Sequence, residues 1–250
     1  MKRVVLSVTF LMAASSVCSA QGQFTYYFPQ VAIGGGWTTT IFISNASAPG
    51  TAASGAITFT TSDGSAFNAN WIDESGNLAG GGGNTIGFQL ASGESRKFLS
   101  IADIPLTTGY ATVTANASVL GSAMFSQADA VGKMRAEAGV PMAIPLGRQA
   151  VFVDTTGGFK TGVAIANPNS ATLRIHFELM SNTGQMIRTV LRELPPYQHL
   201  AFFVHELFPD APEMVGRLQF YCTNPMVSVA LRFDPTFSVF TTMPPIAIAN

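Results

Sequence analysis

The sequence predicts an all-β protein, made of two tandem, internally duplicated β-sandwich domains of immunoglobulin-like type behind a signal peptide. Three observations carry that expectation. Apolar residues alternate with polar ones over short runs, the period of a half-buried strand. Turn-forming Gly, Asn and Asp separate these runs at the spacing of a sandwich, and helical periodicity is almost absent. Finally, the stretch Gly35-Gly36-Trp37-Thr38-Thr39-Thr40-Ile41-Phe42-Ile43-Ser44-Asn45 returns as Gly157-Gly158-Phe159-Lys160-Thr161-Gly162-Val163-Ala164-Ile165-Ala166-Asn167, 122 residues later. In each copy a glycine pair precedes an aromatic, and alternating apolar residues run on to an asparagine.

The first twenty residues stand apart. Lys2 and Arg3 form a positive start, Val4 to Ala14 is apolar, and Val17-Cys18-Ser19-Ala20 ends in the small-x-small pattern of a cleavage site. Residues 1–20 are therefore expected to be a signal peptide, residues 21–136 the first sandwich and residues 137–250 the second. Val17 stands where a lipoprotein needs a small residue before its cysteine. No later apolar run approaches the ~18 residues of a spanning helix. The expectation is a secreted, periplasmic or cell-surface protein. With Cys18 removed, Cys222 is left without an intramolecular partner, beside the apolar alternation Leu218-Phe220, which reads as a buried thiol. The formal net charge of −1, spread without blocks, argues against a nucleic-acid footprint.

In chain order, Phe24 to Phe28 is β-prone and is expected to stop at Pro29. Gly34-Gly35-Gly36 is a turn, Trp37 to Ser44 a strand, and Ala56 to Thr60 another that enters the turn Ser62-Asp63-Gly64. Residues 75–84 hold so many glycines that a flexible loop is expected. Strands follow at Ile86 to Leu90, Ser95 to Leu99, Gly109 to Val113 and Val119 to Phe125. Residues 130–145, with Pro141 and Pro145, read as a linker. The second half repeats the order: Val151 to Val153, Gly162 to Asn167, Leu173 to Leu179, Ile187 to Leu191, Leu200 to Val204, a helical turn at His205 to Phe208, then Gly216 to Phe220 and Val227 to Phe233. Corresponding landmarks follow in the same order, Gly64 with Gly184 at an offset of 120, Pro105 with Pro209 at 104 and Phe125 with Phe233 at 108. The sixteen-residue drop in offset between Gly64 and Leu90 falls where the first copy carries its glycine-rich loop, as insertions confined to turns should show. Phe42, Phe59, Phe88, Phe125, Phe177, Phe220 and Phe233 fall on the alternation and are expected in the core. The alternation would also suit an outer-membrane barrel, but no terminal aromatic or regular girdle accompanies it.

The signal peptide, the opening Phe28-Pro29 to Gly35-Gly36-Trp37-Thr38-Thr39, the strand Ile43-Ser44-Asn45 and the phrases Thr161 to Pro168, Glu206 to Pro209 and Ala230 to Phe233 together resemble a group of uncharacterised exported bacterial proteins. Those proteins carry paired β-modules of this kind. The resemblance covers most of the mature chain and implies an extracytoplasmic β-protein of no assigned activity. It carries no catalytic residue over.

Candidate chemistry is sparse. His176 and Glu178 leave one strand on the same face, as an acid–base or metal pair could, although a solvated surface pair has the same pattern. His205-Glu206 begins like a zinc-protease helix, but Pro209 occupies the second histidine's place. No Gly-x-Ser-x-Gly elbow is present. Gly34 to Gly36 and Gly80 to Gly83 lack the Lys-Ser/Thr that would follow a phosphate cradle. Asp63 and Asp154 lie near glycines but without the clustered oxygens of a calcium site. No catalytic residue, metal or cofactor is therefore expected. The remaining candidates are aromatics that could face outward: Trp71 among Asn68, Asn70 and Asp73, with Tyr110 and Tyr197, and with Tyr26 and Tyr27 as companions. The leading expectation is a non-enzymatic surface protein for structural display or protein interaction. The alternative is a carbohydrate-binding module using those aromatics on a polysaccharide, and a hydrolase built around His176 and Glu178 comes third.

Overall fold

The computed structural model describes residues 23–248, so the expected signal peptide lies outside the described residues. The described chain is almost entirely antiparallel β-structure. In the first half, β1 (Phe24–Ile33), β2 (Trp37–Asn45), β3 (Ala53–Thr61), β4 (Trp71–Asp73), β5 (Leu78–Ala79), β6 (Thr85–Leu90), β7 (Ser95–Ser100), β8 (Thr107–Ala115), β9 (Val119–Ala128) and β10 (Met134–Pro141) follow one another. The second half has β11 (Leu146–Asp154), β12 (Lys160–Ala166), β13 (Leu173–Ser181), β14 (Met186–Leu194), β15 (His199–Phe203), the single helical turn α1 (Val204–Leu207), β16 (Val215–Phe233), β17 (Phe240–Met243) and β18 (Ile246–Ala247).

The sheets repeat one topology. In the first half a sheet ordered β1-β8-β3-β6 faces another ordered β10-β9-β2-β7-β4-β5. In the second half β11, β16, β13 and β14 pair in the first of these orders, and β17, β16, β12 and β15 pair in the second. One long strand, β16, therefore does the work of both β8 and β9. Its first part pairs with β11 and β13, and its last part with β12 and β17. Between each pair of sheets lies an apolar core. Phe28, Ile41, Ile57, Phe59, Trp71 and Val113 fill the first, and Val163, Ile175, Phe177, Leu218 and Phe220 the second.

The shared motif has a structural reason in both copies. Gly35 and Gly36 turn with φ of 60° and 88°, Gly157 and Gly158 with φ of 60° and 83°, a backbone that side chains resist. Just beyond, buried Thr39 exchanges two hydrogen bonds with the backbone of Ala32, and Thr161 does the same with Asp154. Each threonine hydroxyl thereby ties the motif strand to the strand that precedes it.

Several details differ from the sequence expectations. Pro29 does not end β1. The pairing with β8 slips between Phe28 and Val31, and a bulge there accepts a residue without an N–H. The expected linker contains β10, which pairs with β9 from Met134 to Pro141, so the expected boundary at 136/137 falls inside a strand. Alternating Ala136, Ala138 and Val140 are buried on one face, a strand pattern that proline at its end concealed. The expected flexible loop at 75–84 carries β5, paired with β4 beside Trp71, because Ala79 packs on the first core. Of the aromatics expected in the core, Phe42 is 40 % exposed on the outer face of its sheet.

The halves meet along a packed seam. Phe125, Ala138 and Val140 of β9 and β10 bury against Ala164, Val229 and Phe240 of β12, β16 and β17. Tyr27 and Ala143 exchange backbone hydrogen bonds of 2.9 and 2.8 Å. The turn after β3 docks on the start of β15, where His199 N–H donates to the Ser62 carbonyl and Gln198 Nε2 to the Asp63 carbonyl.

Candidate site: a tyrosine groove where the halves meet

The aromatics singled out from sequence separate sharply. Trp71 is 1 % exposed and stacks on Phe59 with ring centroids 4.4 Å apart, its Nε1 left without a partner. It is a core residue, which corrects the expectation of an outward sugar platform. The polar neighbours Asn68 and Asn70 suggested exposure, but the three-residue strand that begins at Trp71 turns the indole inward. Tyr110 and Tyr197, by contrast, come together with Tyr27 in one groove of about 400 Å³.

Strand alternation builds the floor of this groove. On β3 and β8, Phe59, Ala111 and Val113 face the core, so Thr58, Thr60, Tyr110 and Thr112 face outward. The register sets Thr60 opposite Tyr110, and Thr58 opposite Thr112, which in turn lies opposite Tyr27 on β1. Three adjacent strands thus present hydroxyl groups in two rows. Tyr110 lies at the base, 3 % exposed. Burial pushes its phenol above the ordinary tyrosine range, with a smaller contribution from nearby Tyr27 and Tyr197, while a hydrogen bond with Thr60 acts in the opposite direction. Burial raises Tyr27 as well. Both of these phenols therefore remain neutral donors at physiological pH.

The second half supplies the wall. Tyr197 sits in the turn between β14 and β15, 48 % exposed, with φ of 58°. A bulky residue in the left-handed region is strained, and such strain persists only where surrounding structure imposes it. Here Gln198 is tied to Asp63, His199 to Ser62, and the Asn167 amide to the Pro195 carbonyl, so the turn has no freedom to relax. Gly64 and Pro168 complete the lining. No charged side chain lines the groove.

Behind it lies a buried Ser62–His199 contact, with Oγ and Nδ1 3.0 Å apart. Ser62 Oγ also donates to the Thr108 carbonyl at 3.0 Å, so the serine oxygen accepts from Nδ1–H, and Nε2 is left buried without a partner. The pair ties the two halves together. Full burial pushes the His199 pKa down to about 4.

No known protein family, characterised protein or solved structure matches this chain. The geometry alone therefore carries the functional argument.

The other candidates lie elsewhere. His176 is exposed on an open sheet face, stacked on Tyr221 at 5.2 Å. Glu178 beside it accepts from Tyr221 Oη at 2.9 Å and from the Gln219 amide, so its carboxylate is already engaged. Among the described residues no three His, Cys, Asp or Glu side chains cluster to hold a metal. Cys222 is half-buried, donates to the Asn224 carbonyl at 2.8 Å, and its pKa is pushed up to about 11 by burial. Tyr26 packs on the first core. Sequence reasoning did not single out Thr58, Thr60 and Thr112 as site residues, although the alternation Thr58-Phe59-Thr60 put their hydroxyls on one face.

Proposed function

We propose that the chain is an exported, non-catalytic binding protein whose tyrosine groove holds a neutral, hydroxyl-rich polymer, a polysaccharide. The observation that carries this reading is the joining of Tyr27, Tyr110 and Tyr197 with Thr58, Thr60 and Thr112 in one uncharged, open groove. Phenol rings offer apolar faces to the C–H side of a sugar ring and hydroxyls to its edge. A site of mostly non-charged walls with a few directed polar groups suits a ligand of the same character. The strained Tyr197 supports the reading, since it projects an aromatic at the rim where a simpler turn residue would serve the fold better.

A second reading, adhesion to a surface protein, rests on a different face. Phe42 and Leu120 are 40 % and 60 % exposed and lie on diagonal positions of β2 and β9, since Phe42 pairs with Ser122 and Ser44 with Leu120. The deciding experiment is retention of the full chain on a panel of insoluble polysaccharides, with Tyr197→Ala and Phe42→Ser as variants. Retention lost only in Tyr197→Ala supports the groove. Indifference of every polymer to the protein overturns it and moves the search to protein partners, with Phe42→Ser as the first variant to compare.

A further inference from the structure

A cavity of about 430 Å³ opens on the outer face of the second half, between the start of β11 and the middle of β16. The register across three strands sets Arg148 opposite Tyr221, and Tyr221 opposite His176. The side chains continue that row. The Arg148 guanidinium carbon lies 4.8 Å from the centroid of the Tyr221 ring, and the His176 imidazole stacks on the same ring within 6° of parallel. Tyr221 is itself pinned, its Oη given to Glu178 at 2.9 Å. The duplicated fold does not require this row. The matching positions of the first half, read through the same register, are Thr25, Thr114 and Ala56.

The guanidinium has a fixed place but no counterion. Among the described residues no carboxylate pairs with it, and none lines the cavity. Its Nε is enclosed without a partner, out of a ligand's reach. The two terminal nitrogens are not enclosed and donate to no acceptor among the described residues, so their N–H groups are left to the open cavity. Neighbouring polar groups are already engaged, Tyr221 Oη by Glu178 and Cys222 Sγ by the Asn224 carbonyl. Thr223, exposed beside them, adds a hydroxyl, and Leu146 and Ile248 give the cavity an apolar side. A guanidinium keeps its charge at every physiological pH, and holding a cation partly out of water without an anion is costly.

We propose that this cavity binds a carboxylate carried on a small apolar body, its two oxygens on the terminal nitrogens of Arg148 and its body against Leu146 and Ile248. One guanidinium supplies a single positive charge on a flat fork, which suits a planar, singly charged carboxylate. A phosphate group, with nearly twice the charge, would call for a second cation, and the cavity has none among its described lining residues. The stack on Tyr221 fixes the fork before a ligand arrives, so little side-chain freedom is lost on binding. The site is independent of the tyrosine groove.

The test titrates the full chain with 3-phenylpropionate, 3-phenylpropionamide and inorganic phosphate, following the backbone amide resonances of Gly147 and Thr223 and the methyl resonances of Leu146 and Ile248. The expected result is saturable shifts with the carboxylate, and binding of the amide and of phosphate weaker by about tenfold or more. Arg148→Lys, which keeps the charge and loses the fork, should weaken the carboxylate about tenfold, and Arg148→Gln should weaken it further. Unshifted resonances with the carboxylate, or amide or phosphate bound as tightly as the carboxylate, would overturn the proposal. So would undiminished affinity in both Arg148 variants, whose folding is checked by the same spectra.

Discussion

Asn45 and Asn167, 122 residues apart, make the same set of hydrogen bonds in the two halves of the molecule. The Asn45 amide nitrogen donates to the carbonyls of Thr51, Leu90 and Ala91, and its oxygen accepts from Ser47 N–H. The Asn167 nitrogen donates to Ala171, Leu194 and Pro195, and its oxygen accepts from Asn169 N–H. Each asparagine ends a motif strand and staples two loops to it. Replacing either by Ala leaves several buried carbonyls unpaired, and we expect a loss of about 3 kcal/mol per site. Asn→Asp should do no better, because a carboxylate cannot donate to three carbonyls. Urea unfolding of the four variants measures this, and losses under 1 kcal/mol would show the staple to be dispensable.

Acid should loosen the join between the halves. His199 ionises at about 4 when folded and near 6.5 when unfolded, so below pH 6.5 the unfolded chain takes up a proton that the folded one refuses. Stability contributed by the neutral ring is full above pH 6.5 and declines as pH falls toward 4, by roughly 3 kcal/mol in all. His199→Gln should flatten the unfolding midpoint between pH 4.5 and 7, though it lowers the midpoint at pH 7. A slope unchanged by the substitution would assign the acid sensitivity to other groups.

Trp71 and Tyr197 should behave in opposite ways. Trp71→Ala removes a buried, stacked indole, and destabilisation of about 3–5 kcal/mol is expected from thermal or urea unfolding. Tyr197→Gly relieves a left-handed backbone at an exposed position and should stabilise by about 1 kcal/mol, while polymer retention is lost. A stability drop in Tyr197→Gly would mean that the ring packs for the fold.

The thiol of Cys222 should be inert. With its pKa raised to about 11, the thiolate is scarce at pH 8, and alkylation should run about a hundredfold slower than for a free cysteine. Reaction at the rate of the free amino acid would contradict its half-buried setting beside Asn224.

Charging the seam should part the halves. Val229 and Phe125 are buried in it, so Val229→Asp places an unpaired carboxylate there. Protease cleavage within 142–145, the segment between β10 and β11, should then accelerate at least tenfold. Unchanged cleavage would mean that the seam is not what protects that segment.

The duplication, the strand alternation and the motif threonines and asparagines were legible in the sequence because each is a local matter of period and spacing. Gly35-Gly36 and Gly157-Gly158 declared their turns, and Asn45 and Asn167 ended their strands where the repeat said they would. Pro29 and Pro141 misled, since proline signals a stop only when no bulge or strand end accommodates it. Trp71 misled because its sequence neighbours are polar while its spatial neighbours, Phe59 above all, are not.

The sequence by itself determined the all-β character, the places of most strands and the matching of the motif strands across the two copies. It did so because alternation with a period of two decides which side chains can share a face. Only the tertiary structure decided which faces are covered. Tyr27 and Tyr110 belong to one half and Tyr197 to the other, and more than eighty residues separate each neighbouring pair along the chain. Their meeting depends on how the β3 turn docks against His199. That docking arises from packing and hydrogen bonds between distant segments, which no local pattern encodes.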